Sequence, residues 1–307
     1  MALAEHAHPL RGYFYIAIAA FCWGMAGVAA RAIFAGKLLA SAHAAAIDPL
    51  VLSQTRTTIS FLLLAPSLWV ARRLQIAPRS RVTRGQLLRV LLIGSLGIAA
   101  SNFLYYVSIQ QTSVAVAIML QYLAPVWALA YLLGRGLQRP TAGGIAGVAL
   151  AVGGCALAVG IAPGHASFGL LGIVAGLGAS FAFAFYNVLG RSLLEQLDRW
   201  SVFLFSMLGA TLFWTIVNPP WRLVSAHYSA LQWEFLVGFA IFSILVPYAF
   251  YFSGLRHLDA TRAIVTSCLE PVFAIALAWM ILGDAVSPLQ IVGITAVLAG
   301  TIVVQRP

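Results

Sequence analysis

Thr266-Ser267-Cys268-Leu269-Glu270-Pro271-Val272-Phe273 sets one carboxylate and one proline in the middle of an apolar run that continues through Ala274-Ile275-Ala276-Leu277-Ala278-Trp279. A charge at the centre of a bilayer-spanning helix costs roughly 2.5–3.5 kcal/mol on insertion scales, so such a side chain faces protein or a watery cavity. Pro271 has no N–H, which deprives the carbonyl of Ser267 of its helical partner. In hydrocarbon that carbonyl must be satisfied by protein or line a wet space. The same design stands 146 positions earlier, in Gln121-Tyr122-Leu123-Ala124-Pro125-Val126-Trp127, where Pro125 frees the carbonyl of Gln121. Broken helices at matching places of two halves point to the binding site of a transporter.

Composition agrees with a membrane setting. Of the 307 residues, 62% are hydrophobic and 8% charged, where soluble chains carry roughly 25% charged residues; the mean hydropathy is +0.94. Ten spans are expected, at 13–36, 50–71, 87–109, 114–134, 141–160, 170–192, 200–218, 232–254, 261–282 and 288–305. Each is long enough for a hydrocarbon core of ~30 Å. Asp48-Pro49 and Ser287-Pro288 supply a capping side chain and an N1 proline for two of them. The first apolar stretch is too long for the core of a cleavable signal.

The net charge of +10 would suit nucleic acid, but its distribution argues for a membrane instead. With ten spans and a cytoplasmic N-terminus, the inner segments hold Arg11, Arg72, Arg73, Arg79, Arg81, Arg84, Arg89, Arg135, Arg139, Arg191, Arg199, Arg256, Arg262 and Arg306. The outer segments hold only Lys37 and Arg222, and Arg31 and Arg56 fall within spans. This bias places both termini in the cytoplasm. Cys22, Cys155 and Cys268 lie in apolar runs with no CxxC pair, which supports neither a disulfide framework nor a zinc site. The histidines sit in tails, loops or helix ends, and His6-x-His8 reads as a tail rather than a metal site. No cofactor is implied.

A shift of 146 also pairs Tyr105 with Tyr251, Val126 with Val272, Gly147 with Gly293 and Gly154 with Gly300. The repeat divides the chain into 1–160 and 161–307. Five spans per unit, an odd number, make the two halves enter the membrane in opposite senses, an arrangement that supports alternating access around a central cavity.

Within this frame Glu270 is the single acid inside a span. It can exchange a proton during transport or receive a substrate's ammonium group; its alternative role is structural, as a partner for the broken helix or for Arg56. Arg56 lies about two turns inside span two, and a structural role, with Asp48 or a substrate carboxylate as partner, is expected. Trp23, Tyr105, Gln121, Asn187, Tyr251 and Ser267 are the expected substrate-binding set, combining aromatic walls with convergent polar groups. Pro125 and Pro271 are the expected gating breaks. Gly143-x-x-x-Gly147 and Gly172-x-x-x-Gly176 suit close helix packing within one monomer.

Leu269-Glu270-Pro271-Val272-Phe273, the Pro-Val pair in each half, Leu282-Gly283-Asp284, and Asp48-Pro49 followed by Arg56 together resemble the drug/metabolite transporter superfamily, in particular its EamA-like ten-helix exporters. Nearly the whole chain is covered, although the family's usual Gly-Glu is here Gly283-Asp284. The resemblance implies an all-α polytopic protein of the bacterial inner membrane with a cavity between its halves. It also implies export of small organic solutes, with or without proton coupling, and is nearest to the aromatic amino-acid exporters of the YddG type. The rivals are export of other metabolites or drugs, and a membrane transferase. The latter would need histidines, acids or serines gathered at one interface, and these residues are scattered.

Overall fold

A computed structural model describes residues 8–34, 47, 49–78, 80–112, 114–159, 169–225, 228–282 and 286–304. His6, Asp48, Arg79, Gly283, Asp284, Arg306 and the join between 160 and 161 lie outside the described residues, as does the side chain of Arg31. The first half contains α1 (Pro9–Phe34), α2 (Pro49–Arg73), α3 (Arg84–Leu92), α4 (Ala100–Gln111), α5 (Val114–Gln121), α6 (Ala124–Gly134) and α7 (Ala142–Val159). The second contains α8 (Leu170–Leu194), α9 (Arg199–Val217), α10 (Pro220–Ser225), α11 (Ala230–Ala240), α12 (Val246–Leu255), α13 (Ala260–Ser267), α14 (Leu269–Leu282) and α15 (Pro288–Val303). The chain is an all-helical polytopic membrane protein, and each of the ten expected spans is present as one helix or as consecutive helices.

Seven stretches are long and apolar enough to cross a bilayer, and Ala142–Ala158 and Pro288–Val303 are shorter apolar helices. The remaining span, α2, is long enough but polar, because Ser53, Gln54, Thr55, Arg56, Thr57, Thr58 and Ser60 occupy its first half. Those groups turn inward: Gln54 donates to the Asn218 carbonyl at 2.6 Å and Asn218 donates back to Gln54 Oε1 at 2.6 Å. Ser60 donates to the Ala240 carbonyl. Ser287 caps α15 as expected, in a reciprocal capping box with Gln290.

The two interruptions at the prolines are present. Tyr122 and Leu123 form a turn between α5 and α6, and Cys268 forms one between α13 and α14. Each half also holds a π-helical turn that the apolar pattern does not reveal, Ile93–Ala99 between α3 and α4 and Ile241–Leu245 between α11 and α12. In the first of these, a Cβ on Gly94 would stand 1.9 Å from the Ser206 carbonyl oxygen, so α9 lies directly on bare backbone there.

The halves interleave. α1 packs on α12, α13 and α14 of the second half, while α8 packs on α4, α5 and α6 of the first. The most extensive pairing joins α7 to α15. Gly147 meets Val304, Gly154 meets Val297 and Gly293, and Ala158 meets Gly293, so these repeat mates run antiparallel, as inverted halves require. Gly147, Gly172 and Gly176 all make their close contacts inside this chain, in line with packing within one monomer.

The interleaved bundles meet unequally at their two ends. At the arginine-rich end, α13 packs on α6 and α8, and α12 packs on α8 and α9. Rings fill that seam: Tyr186 against Tyr248 and Tyr251, and Phe203 against Tyr248 and Phe252. Arg191 donates to the carbonyls of Leu255 and Arg256, and Arg199 to Ser253 Oγ. At the opposite end the mates of three of these pairs, α5 with α1 or α14 and α4 with α1, have no comparable contact among the described residues, whereas the fourth, α4 with α2, is packed. Among the described residues, the packing of these pairs is closer at the arginine-rich end than at the other.

Candidate functional site

The two breaks face each other across the molecule and are joined by one side-chain hydrogen bond. Tyr122, in the first turn, donates from its hydroxyl to Glu270 Oε2 at 2.8 Å. A carboxylate in an apolar span needs a donor at close range, because water is not freely available to solvate it. Sequence reasoning had passed over Tyr122. Its position immediately after Gln121, in the turn that Pro125 imposes, was the available signal.

Behind Glu270 the backbone is held by α1. A Cβ on Gly24 would lie 2.9 Å from the Glu270 carbonyl oxygen and 3.0 Å from the Ala274 nitrogen, so α1 presses its bare backbone on the first turn of α14. The neighbouring Trp23 then reaches Tyr248 and Tyr251, with ring centroids 5.4 and 5.2 Å away.

Arg56 faces the same interior from α2. Its Nη2 donates to Asn102 Oδ1 at 3.0 Å, and Asn102 Nδ2 donates to the Ile98 carbonyl at 2.8 Å, within the π-turn. The Nε of Arg56 is buried and has no hydrogen-bond partner. Among the described residues the ion pairs are Arg72–Asp198, Arg191–Glu195 and Arg262–Asp259, so neither Arg56 nor Glu270 is in an ion pair there.

The expected site residues divide into two groups. Trp23, Arg56, Tyr105, Gln121 and Glu270, together with Asn102, are half-buried and lie on α1, α2, α4, α5 and α14. Gln121 donates to Ser101 Oγ at 3.4 Å, which ties the end of α5 to α4. Asn187, Tyr251 and Ser267 are fully buried. Tyr251 donates to Asn187 Oδ1 at 2.6 Å, Asn187 donates to the Phe183 carbonyl, and Ser267 to the Ile264 carbonyl. These three pack the closed seam and, in this conformation, offer a solute no surface. Pro125 and Pro271 are also buried, each just inside the helix that restarts after its break.

The described residues contain no group of three or more histidines, cysteines or acids able to hold a metal ion. The thiols of Cys22, Cys155 and Cys268 are free and buried, and Cys155 approaches the Cys268 carbonyl at 3.9 Å, beside the second break.

An acid inside a span, at one of two paired helix breaks, is the arrangement expected of an integral-membrane transporter. The sequence profile of the EamA-like transporter family matches residues 10–160 and 170–306, so the chain belongs to that family. Among its relatives, the "Uncharacterized transporter" of Archaeoglobus fulgidus is 28% identical over 220 residues, covering 69% of this chain and 76% of the relative. The threonine/homoserine exporter RhtA of Escherichia coli K12 is 26% identical over 223 residues, covering 73% and 72%. The "Uncharacterized inner membrane transporter YicL" of Salmonella typhimurium LT2 is 22% identical over 302 residues, covering 96% and 95%. A solved crystal structure covers 95% of both chains with a TM-score of 0.73 at 18% identity, which shows the fold.

Proposed function

We propose that this protein exports α-amino acids, with aromatic side chains favoured, by alternating access across a bacterial inner membrane. The observation that carries the reading is the Tyr122–Glu270 hydrogen bond joining the two helix breaks, with half-buried Trp23, Arg56, Tyr105 and Gln121 on the helices of the same bundle. Aromatic and polar groups in one place suit a solute with a charged end and a ring. The two halves, 1–160 and 161–307, act as inverted units, and both termini are cytoplasmic, as the arginine distribution supports. The conformation is then outward-facing, with the seam of Tyr186, Tyr248 and Tyr251 closing the cytoplasmic side.

Glu270 serves as the group that meets the substrate's ammonium or a coupled proton. A second reading, export of small hydroxylated amino acids, draws on the likeness to RhtA, a threonine/homoserine exporter. Flux of labelled phenylalanine, tryptophan and threonine into proteoliposomes, with and without a pH gradient, tests both. Saturable flux of the aromatic substrates that is lost in Trp23→Ala and Tyr105→Ala supports the first reading. Saturable threonine flux alone overturns the aromatic preference, and flux indifferent to the gradient removes the proton from Glu270's role. No amino-acid flux at all moves the substrate to other metabolites or drugs.

A further inference from the structure

Arg56 has the marks of a binding group rather than of a strut. It lies in a span, its Nη2 is held by Asn102, and its buried Nε has no partner. No acid among the described residues forms an ion pair with it. A guanidinium left in this state in a low-dielectric interior is costly unless another charge completes it. Asn102 is itself fixed to the Ile98 carbonyl, so the guanidinium is oriented in advance.

Glu270 shows the complementary half. Tyr122 occupies Oε2, and no hydrogen bond to Oε1 is found among the described residues. Among the described residues the two charges do not close into an ion pair with each other. What fits a fixed cation and a fixed anion held apart is a small zwitterion with its own charges reversed.

We infer that Arg56 and Glu270 form a two-point clamp for an α-amino acid, Arg56 taking the carboxylate and Glu270 the ammonium. This rests on the amino-acid reading above and adds to it the residues that recognise the shared backbone of every such substrate. Arginine suits the carboxylate because its planar fork offers donors in fixed geometry, a match that lysine lacks. Trp23 and Tyr105 remain for the side chain, so the clamp sets the substrate class and the aromatic residues set the choice within it.

The test is competition against labelled amino-acid flux in proteoliposomes of the full chain, with three unlabelled compounds: phenylalanine, phenethylamine and 3-phenylpropionate. Wild type should be inhibited by phenylalanine and far less by either singly charged analogue. In Arg56→Gln the KM for phenylalanine should rise roughly thirtyfold or more, as on truncating one partner of a buried charge pair. Phenethylamine should then compete as well as phenylalanine does. Arg56→Lys should recover part of the affinity, and the melting temperature in detergent shows whether the variants are folded. Flux in wild type with unchanged KM and unchanged discrimination in Arg56→Gln overturns the clamp alone. Equal competition by all three compounds in wild type also overturns it. Absence of amino-acid flux in wild type overturns the amino-acid reading and the clamp with it.

Discussion

The two helix breaks share a scaffold and differ in chemistry. Each follows a short helix, precedes a proline and is packed by the first long helix of the other half. Under the 146-residue shift, however, Gln121 faces Ser267, Tyr122 faces Cys268, Ala124 faces Glu270, and Asn102 faces Tyr248. The first break supplies neutral donors. The second supplies the charge. A duplicated fold thus gives two breaks of the same layout, and divergence has placed the acid at one of them and a hydroxyl that donates to it at the other.

The strongest test of that division is removal of the acid. Glu270→Gln should cut amino-acid kcat/KM in proteoliposomes by roughly thirtyfold or more, the scale of losing a buried charged partner. Moving the acid across, as Ala124→Glu with Glu270→Ala, should not restore flux, because Ala124 packs in an apolar cluster with Ala128, Ala184 and Ile264. Restored flux would show the breaks to be interchangeable.

Next in size is the difference between the π-turns. Gly94→Ala forces a side chain on the Ser206 carbonyl, whereas a Cβ on Gly238, just before the second π-turn, meets nothing within 4 Å. Overpacking costs about 1–3 kcal/mol or more when backbone must move. The melting temperature in detergent should therefore fall clearly for Gly94→Ala and hardly at all for Gly238→Ala.

The bond between the breaks ranks third. Tyr122→Phe keeps the ring and removes the donor to Glu270, and a hydrogen bond to a charged group contributes about 1.5–3 kcal/mol. Flux should fall roughly tenfold or more, while Cys268→Ala, at the equivalent position, should change it far less. Equal losses in both variants would reduce Tyr122 to a packing residue.

The smallest effect belongs to the arginine-rich end. Asp198 caps α9 and binds Ser201, the Ser80 backbone N–H and Arg72. Burial alone pushes its carboxyl up, but the hydrogen bonds from Ser201 and Ser80 outweigh burial and hold it below the ordinary carboxylate range. The stabilisation is then present above the unfolded value of about 3.9 and lost as pH falls through the lower folded value. Thermal stability of wild type should decline below about pH 4, and Asp198→Asn should flatten that part of the profile. An unchanged profile would remove Asp198 from the closure of this end.

Hydropathy and proline placement made the spans and both breaks legible, and Glu270 stood out as the lone acid in a span. Orientation about each helix axis was not legible. Where a helix is apolar all round, composition no longer says which side faces the interior, and so the sequence did not show that Asn187, Tyr251 and Ser267 are buried in this conformation. The π-turns left no residue signature, because one additional residue per turn needs no special side chain. Nothing in the sequence tied Asn102 to Arg56. That pairing depends on how far the π-turn rotates α4.

The glycine seam between α7 and α15 has a mechanical meaning. With Gly147, Gly154, Gly293 and Gly300 bringing backbone to backbone, little compressible side chain lies between those two helices. In the alternating access proposed above, a rigid pair drawn one from each half would serve as a fulcrum, with the remaining helices swinging as levers around it and flexing at the two breaks. Bulk added at the fulcrum, unlike bulk added at the site, would disturb every stage of the swing alike and would leave the choice of cargo unchanged.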